Sequence, residues 1–225
     1  RAETTIAGYR NIICNHMRPA LGAVRLADLT PELIDGYYQW LSTEKGLSPN
    51  TIRKHHVLLH TALKSAYRRG AIPANPAQRA TPPRATSTDV LYYTPTHLSR
   101  LLKEVKGLPL ELPVKLACLL GLRRSEVLGL RWRDVDLHAG LLSVRWVRTT
   151  VGYRVVEKAP KTADSCRTLS IGALDGLLEL LRDLQAQRWQ YGLPCGSGDY
   201  IVLNAEGEPW HPNVLSADLA DFVAA

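Results

Sequence analysis

Three times in this chain a hydroxyl-bearing residue is followed by proline and then by apolar residues at helical spacing: Thr30-Pro31, Ser48-Pro49 and Thr94-Pro95. A Ser or Thr side chain at such a point accepts a hydrogen bond from a first-turn N–H, and proline at the first helical position gives up a donor that has no intrahelical partner. After Thr30, the residues Ile34, Tyr37, Tyr38 and Leu41 fall at i, i+3, i+4 and i+7, and the helix is expected to stop near Gly46. After Ser48, one face holds Ile52, His56, Leu59, Leu63 and Ala66, while Arg53, His60 and Lys64 line a neighbouring face and Arg68 and Arg69 follow. After Thr94, the same spacing returns in Leu98, Leu101, Leu102 and Val105. With an opening helix over roughly Ile6 to Ala20, most of the chain is constrained to helix, and its architecture is set by what interrupts the helices.

Two interruptions matter. From about Ile72 to Asp89 the chain is rich in Pro, Ala, Thr and Arg without periodicity, and Pro73, Pro76, Pro82 and Pro83 block a helix there. This predicts a helical domain over 1–80, a linker over 81–91 and a second domain over 92–225. Within the second domain, helices are expected over about Pro113–Leu120 and Ser125–Trp132, after which the period changes to two. Leu142, Val144 and Trp146 alternate with Ser143, Arg145 and Val147, and Val155 and Leu169 sit in comparable short runs, which reads as a small antiparallel sheet. A helix over about Ala173–Gln190, a short strand at Ile201–Leu203 and a last helix from near Pro212 complete the reading. The fold class is therefore mainly α with a small antiparallel β-sheet.

Composition narrows the partners. No apolar run approaches the roughly 18 to 20 residues of a membrane span, and no secretion-signal layout opens the sequence, so a cytoplasmic protein is expected. The cysteines Cys14, Cys118, Cys166 and Cys195 are far apart and form no C-x-x-C pair, which suggests neither a zinc ribbon nor a disulfide scaffold. His56 and His60 have the i, i+4 spacing of a metal pair, but no acidic or cysteine ligand accompanies them, and neither metal nor cofactor is expected. The net charge of +7 favours an anionic partner such as nucleic acid. It is concentrated early: residues 1–90 hold 12 Lys and Arg against 6 Asp and Glu, and residues 91–225 hold 16 against 15. Arg53, His60, Lys64 and Arg68 are thus either the wet face of an amphipathic helix or contacts to DNA phosphates.

The segment Gly121-Leu-Arg-Arg-Ser-Glu-Val-Leu-Gly-Leu-Arg-Trp-Arg-Asp-Val-Asp136 carries the most specific signal. Gly121 can end one helix in a left-handed conformation and Ser125 can cap the next, holding Arg123 on a tight bend where an anion could sit. The segment resembles the first catalytic box of the tyrosine recombinases of the phage integrase family, in which an arginine follows a Gly-Leu turn and precedes an acidic residue. Ala159-Pro-Lys-Thr-Ala-Asp-Ser-Cys-Arg-Thr-Leu-Ser-Ile171 resembles the hairpin that bears the family's catalytic lysine, with Lys161 at the matching position, 38 residues after Arg123, and Arg167 at a frequent basic position. Pro19-Ala-Leu-Gly22, Leu29-Thr-Pro31, Leu47-Ser-Pro-Asn-Thr51 and Asn75-Pro-Ala77 resemble the family's N-terminal core-binding domain, so the likeness runs through nearly the whole chain.

This resemblance implies a helical, SAM-like core-binding domain that clasps DNA, followed by an incomplete α+β catalytic domain. It implies site-specific DNA recombination, in which a tyrosine attacks a phosphodiester to form a 3′-phosphotyrosyl bond and four protomers act on two duplexes. No small-molecule substrate and no membrane are involved. Arg123 would hold the non-bridging oxygens, Lys161 would protonate the leaving 5′ oxygen, and Glu126 would brace the arginine and helix. Arg53, His60, Lys64, Arg68 and Arg167 are candidate DNA contacts. The family's His-x-x-Arg box, its later His or Trp and its nucleophilic tyrosine match nothing in these residues. In the family's order they fall after Ala225, so the chain by itself is expected not to cleave. A non-catalytic DNA-binding module with a recombinase-like fold is the alternative, and a type IB topoisomerase-like enzyme a third possibility that the core-binding motifs disfavour.

Overall fold

A computed structural model describes residues 2–87, 92–160, 165–174 and 176–224. The chain divides into two compact units, Arg1–Leu91 and Tyr92–Ala225.

The first unit opens with α1 (Glu3–Ile12), a π turn over Ile13–Met17 and α2 (Arg18–Leu21). The sequence predicts one continuous helix here. Pro19, in the first turn of α2, cannot donate to a carbonyl one turn back and its ring would press on it, and the wider π turn upstream relieves this. Next come α3 (Pro31–Thr43) and α4 (Pro49–Arg68), each capped as the sequence dictates: the Thr30 side chain accepts from the Leu33 N–H and that of Ser48 from Thr51 N–H. Their facing stripes bury Ile34, Tyr37, Tyr38 and Leu41 against Ile52, Leu59 and Leu63, closed by Ile72, Ala77 and Ala80. The histidine taken into this core is His55 rather than His56: His55 is 1% exposed and His56 half-buried. The Tyr37 hydroxyl lies 2.7 Å from His55 Nδ1 and that of Tyr38 lies 2.8 Å from His56 Nδ1, so each ring that enters the packing meets a phenol.

Residues 81–87 form neither helix nor strand and are tied back to the first unit. The Thr81 N–H donates to Asp35 (2.6 Å), Arg53 Nη1 to the Pro83 carbonyl (3.2 Å) and Asn50 Nδ2 to the Thr86 carbonyl (2.8 Å).

The second unit holds α5 (Pro95–Glu104), α6 (Glu111–Leu120), α7 (Arg124–Val127), β1 (Val135–Asp136), β2 (Leu141–Val144), β3 (Val147–Val151), β4 (Arg154–Lys158), β5 (Arg167–Ser170), α8 (Leu177–Gln190) and α9 (Pro212–Ala224). Strand pairing is antiparallel throughout. It forms two sheets where the sequence suggests one: a three-stranded sheet in the order β1-β2-β5 and a separate ribbon of β3 and β4. The alternation holds for Leu142 and Val144, both 0% exposed, and fails at Trp146, which leaves the strand and is 39% exposed. Trp189 is 74% exposed, whereas Trp132 and Trp210 are buried. The core forms around Leu116, Leu128, Leu130, Leu142, Ile171, Leu177, Leu181 and Ile201.

Three element boundaries differ from the sequence reading. The α8 helix starts at Leu177 because Gly176 before it is left-handed (φ +65°). The α7 helix is one turn long rather than reaching Trp132. Beyond its end the backbone at Gly129 runs against that of Trp146, where an added Cβ would lie 2.5 Å from the carbonyl oxygen. Around Ile201–Leu203 there is no strand, only isolated bridges pairing Arg131 with Tyr200 and Leu203 with Pro209.

Candidate active site

The centre of the site is the bend between α6 and α7. Gly121 ends α6 in the left-handed region (φ +63°, ψ +28°), which only glycine adopts without strain, and buried Leu122 anchors the chain immediately after it. Arg123 then takes an extended conformation and is the cap of α7, the place the sequence assigns to Ser125. The helix starts two residues early because Glu126 supplies the cap in reverse: its Oε2 accepts from the Arg123 backbone N–H at 3.0 Å.

Glu126 is the most enclosed charged group of the site, with its side chain 3% exposed. Two guanidinium groups meet it. Arg123 Nη1 donates to Oε1 at 3.0 Å, and Arg167 places Nη2 2.9 Å from Oε2 and Nη1 3.4 Å from Oε1. Burial alone would raise the carboxyl's pKa, but the hydrogen bonds from Arg167 and Arg123 outweigh it and hold the pKa below the ordinary carboxylate value. The cluster is two cations to one anion, with one unit of positive charge left over. That charge lies outermost on Arg123, whose side chain is 74% exposed while that of Arg167 is 28% exposed. Next to it, Arg124 Nη1 donates to Ser216 Oγ (2.7 Å) and ties the bend to α9.

Lys161 lies outside the described residues, so the structure neither brings it to Arg123 nor separates it. Arg167, on β5, is joined to Glu126 across 41 residues of sequence. In the first unit, Arg53, Lys64 and Arg68 are exposed on α4 and His60 is half-buried there. The spacing of i, i+7, i+11 and i+15 puts all four on one helical face. Arg53 also bonds Pro83, and the His60 ring packs 5.8 Å from that of His56. Among the described residues no group of three or more His, Cys, Asp or Glu side chains is placed to hold a metal ion, and no helix is long and apolar enough to cross a membrane.

Arg131 is not among the candidate site residues of the sequence. It is the centre of a second network: Nη2 bonds Glu157 on β4 (2.6 Å) and the Tyr200 hydroxyl (3.0 Å), Nη1 bonds the Gly198 carbonyl (2.8 Å), and the guanidinium lies 4.5 Å over the Tyr200 ring. Arg148 stacks on the same ring at 5.2 Å and bonds the Trp210 carbonyl, so the ribbon is fastened at both strands. No local pattern signals partners 26 to 69 residues away.

The chain is similar in sequence and in fold to known proteins. Residues 3–81 match the family model described as the phage integrase SAM-like domain. A protein named tyrosine recombinase XerC-like, from Caldanaerobacter subterraneus subsp. tengcongensis, is 27% identical over 204 residues, covering 84% of this chain and 51% of that protein. The chain is thus similar to tyrosine recombinases. An integrase of Saccharopolyspora erythraea is 32% identical over 130 residues, 57% of this chain and 30% of its own length. The chain thus spans about half or less of these recombinases. The fold is shared with the Tn1549 transposon integrase, solved in complex with a circular intermediate DNA (TM-score 0.77, 17% identity, 98% of this chain and 74% of that one). It is shared also with lambda integrase, solved as a tetramer on a Holliday junction (TM-score 0.69, 17% identity, 98% and 60%).

Proposed function

We propose that this chain supplies the DNA-clasping domain and the first part of the catalytic domain of a site-specific recombinase that cuts and rejoins duplex DNA through a 3′-phosphotyrosyl intermediate. The observation that carries the reading is the Arg123 bend: an exposed guanidinium held by a buried, ionised Glu126 at a left-handed glycine turn. In the pentacoordinate transition state, negative charge gathers on the non-bridging oxygens. A guanidinium already fixed in place stabilises that charge without reorganising at the moment of reaction. Lys161 is assigned the proton delivered to the departing 5′ oxygen, a role suited to a compact ammonium. Arg53, His60, Lys64 and Arg68 form a basic face that holds the backbone of the duplex without reading its sequence. The working assembly is a homotetramer on two duplexes. These 225 residues bind DNA and supply no tyrosine matching the nucleophile, so on their own they do not cleave.

The test is Arg123→Ala in the full reading frame that contains this chain, assayed on a nicked half-site that traps the covalent intermediate. Cleavage is expected to fall by at least about 100-fold, the effect of removing one transition-state oxyanion donor, with duplex binding changed only a few-fold. Cleavage at the wild-type rate would refute the assignment. Wild-type protein that binds DNA without any cleavage would favour the non-catalytic module.

A further inference from the structure

The three-member cluster Arg123, Glu126 and Arg167 has an asymmetry that two members would not produce. Arg167 meets both oxygens of the carboxylate, through Nη2 and Nη1, and is mostly covered; Arg123 meets one oxygen through Nη1 and stays 74% exposed. A carboxylate 3% exposed has little access to water to replace a lost partner, so its two oxygens depend on the Arg123 backbone N–H and on the two guanidinium groups beside it. Arg167 does most of this from β5, and Arg123 is therefore spared from closing onto Glu126 with its whole fork.

We propose that Arg167 is a positioning residue for Arg123: by occupying Glu126 two-pronged, it leaves the Arg123 guanidinium outward and available to a DNA phosphate. The proposal rests on the functional reading above and replaces the sequence expectation that Arg167 itself touches DNA. Without Arg167 the unbalanced carboxylate draws Arg123 inward, and the chain loses a phosphate contact at a residue that was not changed. Because β5 follows Lys161 in the chain, the same pairing ties the strand after that lysine to the arginine's own brace.

The salt dependence of DNA binding separates the possibilities, because each phosphate contact contributes about 0.9 to the slope of log K against log salt. The experiment is fluorescence anisotropy of the 225-residue chain on a labelled duplex of about 30 base pairs. The variants are Arg123→Ala, Arg167→Lys, Arg167→Ala and each Arg167 change combined with Arg123→Ala. Arg123→Ala is expected to reduce the slope by about 0.9. Arg167→Lys keeps the charge but offers a point contact in place of the fork, so the slope is expected to fall towards that of Arg123→Ala, and the combined variant to fall no further.

An unchanged slope in Arg167→Lys together with an additive loss of about 1.8 in the Arg123→Ala, Arg167→Ala double would make Arg167 a direct phosphate contact and overturn the proposal. Unchanged slopes in both Arg167 variants, with a lowered melting temperature, would make the residue purely structural and overturn it equally. If Arg123→Ala itself leaves the slope untouched, the functional reading of Arg123 fails first, and that outcome is visible before any Arg167 variant is read. Should Arg167→Ala not fold, Arg167→Lys alone and in the Arg123→Ala background decides the question.

Discussion

Acid should loosen the first unit through one histidine. His55 is 1% exposed, its Nδ1 is 2.7 Å from the Tyr37 hydroxyl, and the His16 ring stands edge-on at 5.1 Å. Burial first, and the neighbouring His16 second, push its pKa down from 6.5 to about 4. Between those values the unfolded chain takes up a proton that the folded chain refuses, so stability falls as the pH falls through that window and is complete above it. Each pH step of one inside the window removes about 1.4 kcal/mol, and the whole descent about 3 kcal/mol. His56 is also depressed, mainly by burial, and adds in the same direction.

The assay is native-state hydrogen exchange on the amides of α3 and α4, corrected for the intrinsic pH dependence of exchange, in the wild type and in His55→Leu. From pH 6.5 to pH 5 the opening free energy of the wild type is expected to drop by roughly 2 kcal/mol from His55 alone, and this share is expected to vanish in the leucine variant. Equal pH dependence in the two proteins would show that His55 is not held neutral by its burial.

Four other changes follow from single contacts. Gly121→Ala forces a side chain into a left-handed backbone (φ +63°) and should cost about 1 kcal/mol in thermal melting while weakening DNA binding through the displaced Arg123. Gly129→Ala puts a Cβ 2.5 Å from the Trp146 carbonyl oxygen; since backbone cannot swing aside, a loss of roughly 1–3 kcal/mol is expected, and an unchanged melting temperature would contradict the packing. Leu142→Ala empties a 0%-exposed site beneath the three-stranded sheet and should cost about 2–5 kcal/mol by urea denaturation. Glu126, depressed below the ordinary carboxylate range, contributes stability that is present at neutral pH and lost as the pH falls through its folded value; Glu126→Gln should flatten that part of the acid-melting curve.

Much of the fold was already legible in local sequence. The caps at Thr30, Ser48 and Thr94, the buried face of α3 and the left-handed turn at Gly121 are decided within a few residues of each position, because side chain-to-backbone hydrogen bonds and backbone sterics act at that range. The resemblance assigned Glu126 to brace Arg123, and the two meet across three residues where Arg123 caps the helix that carries Glu126. What it could not decide are relations that depend on distant segments meeting. These are the choice of His55 over His56 for the core, the splitting of the strands into a sheet and a separate ribbon, the shortening of α7 where Gly129 meets Trp146, and the cross-chain partners of Arg131 and Arg167. Periodicity gives a face but not which of two adjacent residues at its edge is covered, and charge gives a cation but not its counter-ion. Arg167 reads in sequence as one more basic residue after a turn, and it becomes the partner of Glu126 only because β5 passes beside α7 and leaves a buried carboxylate whose charge must be met.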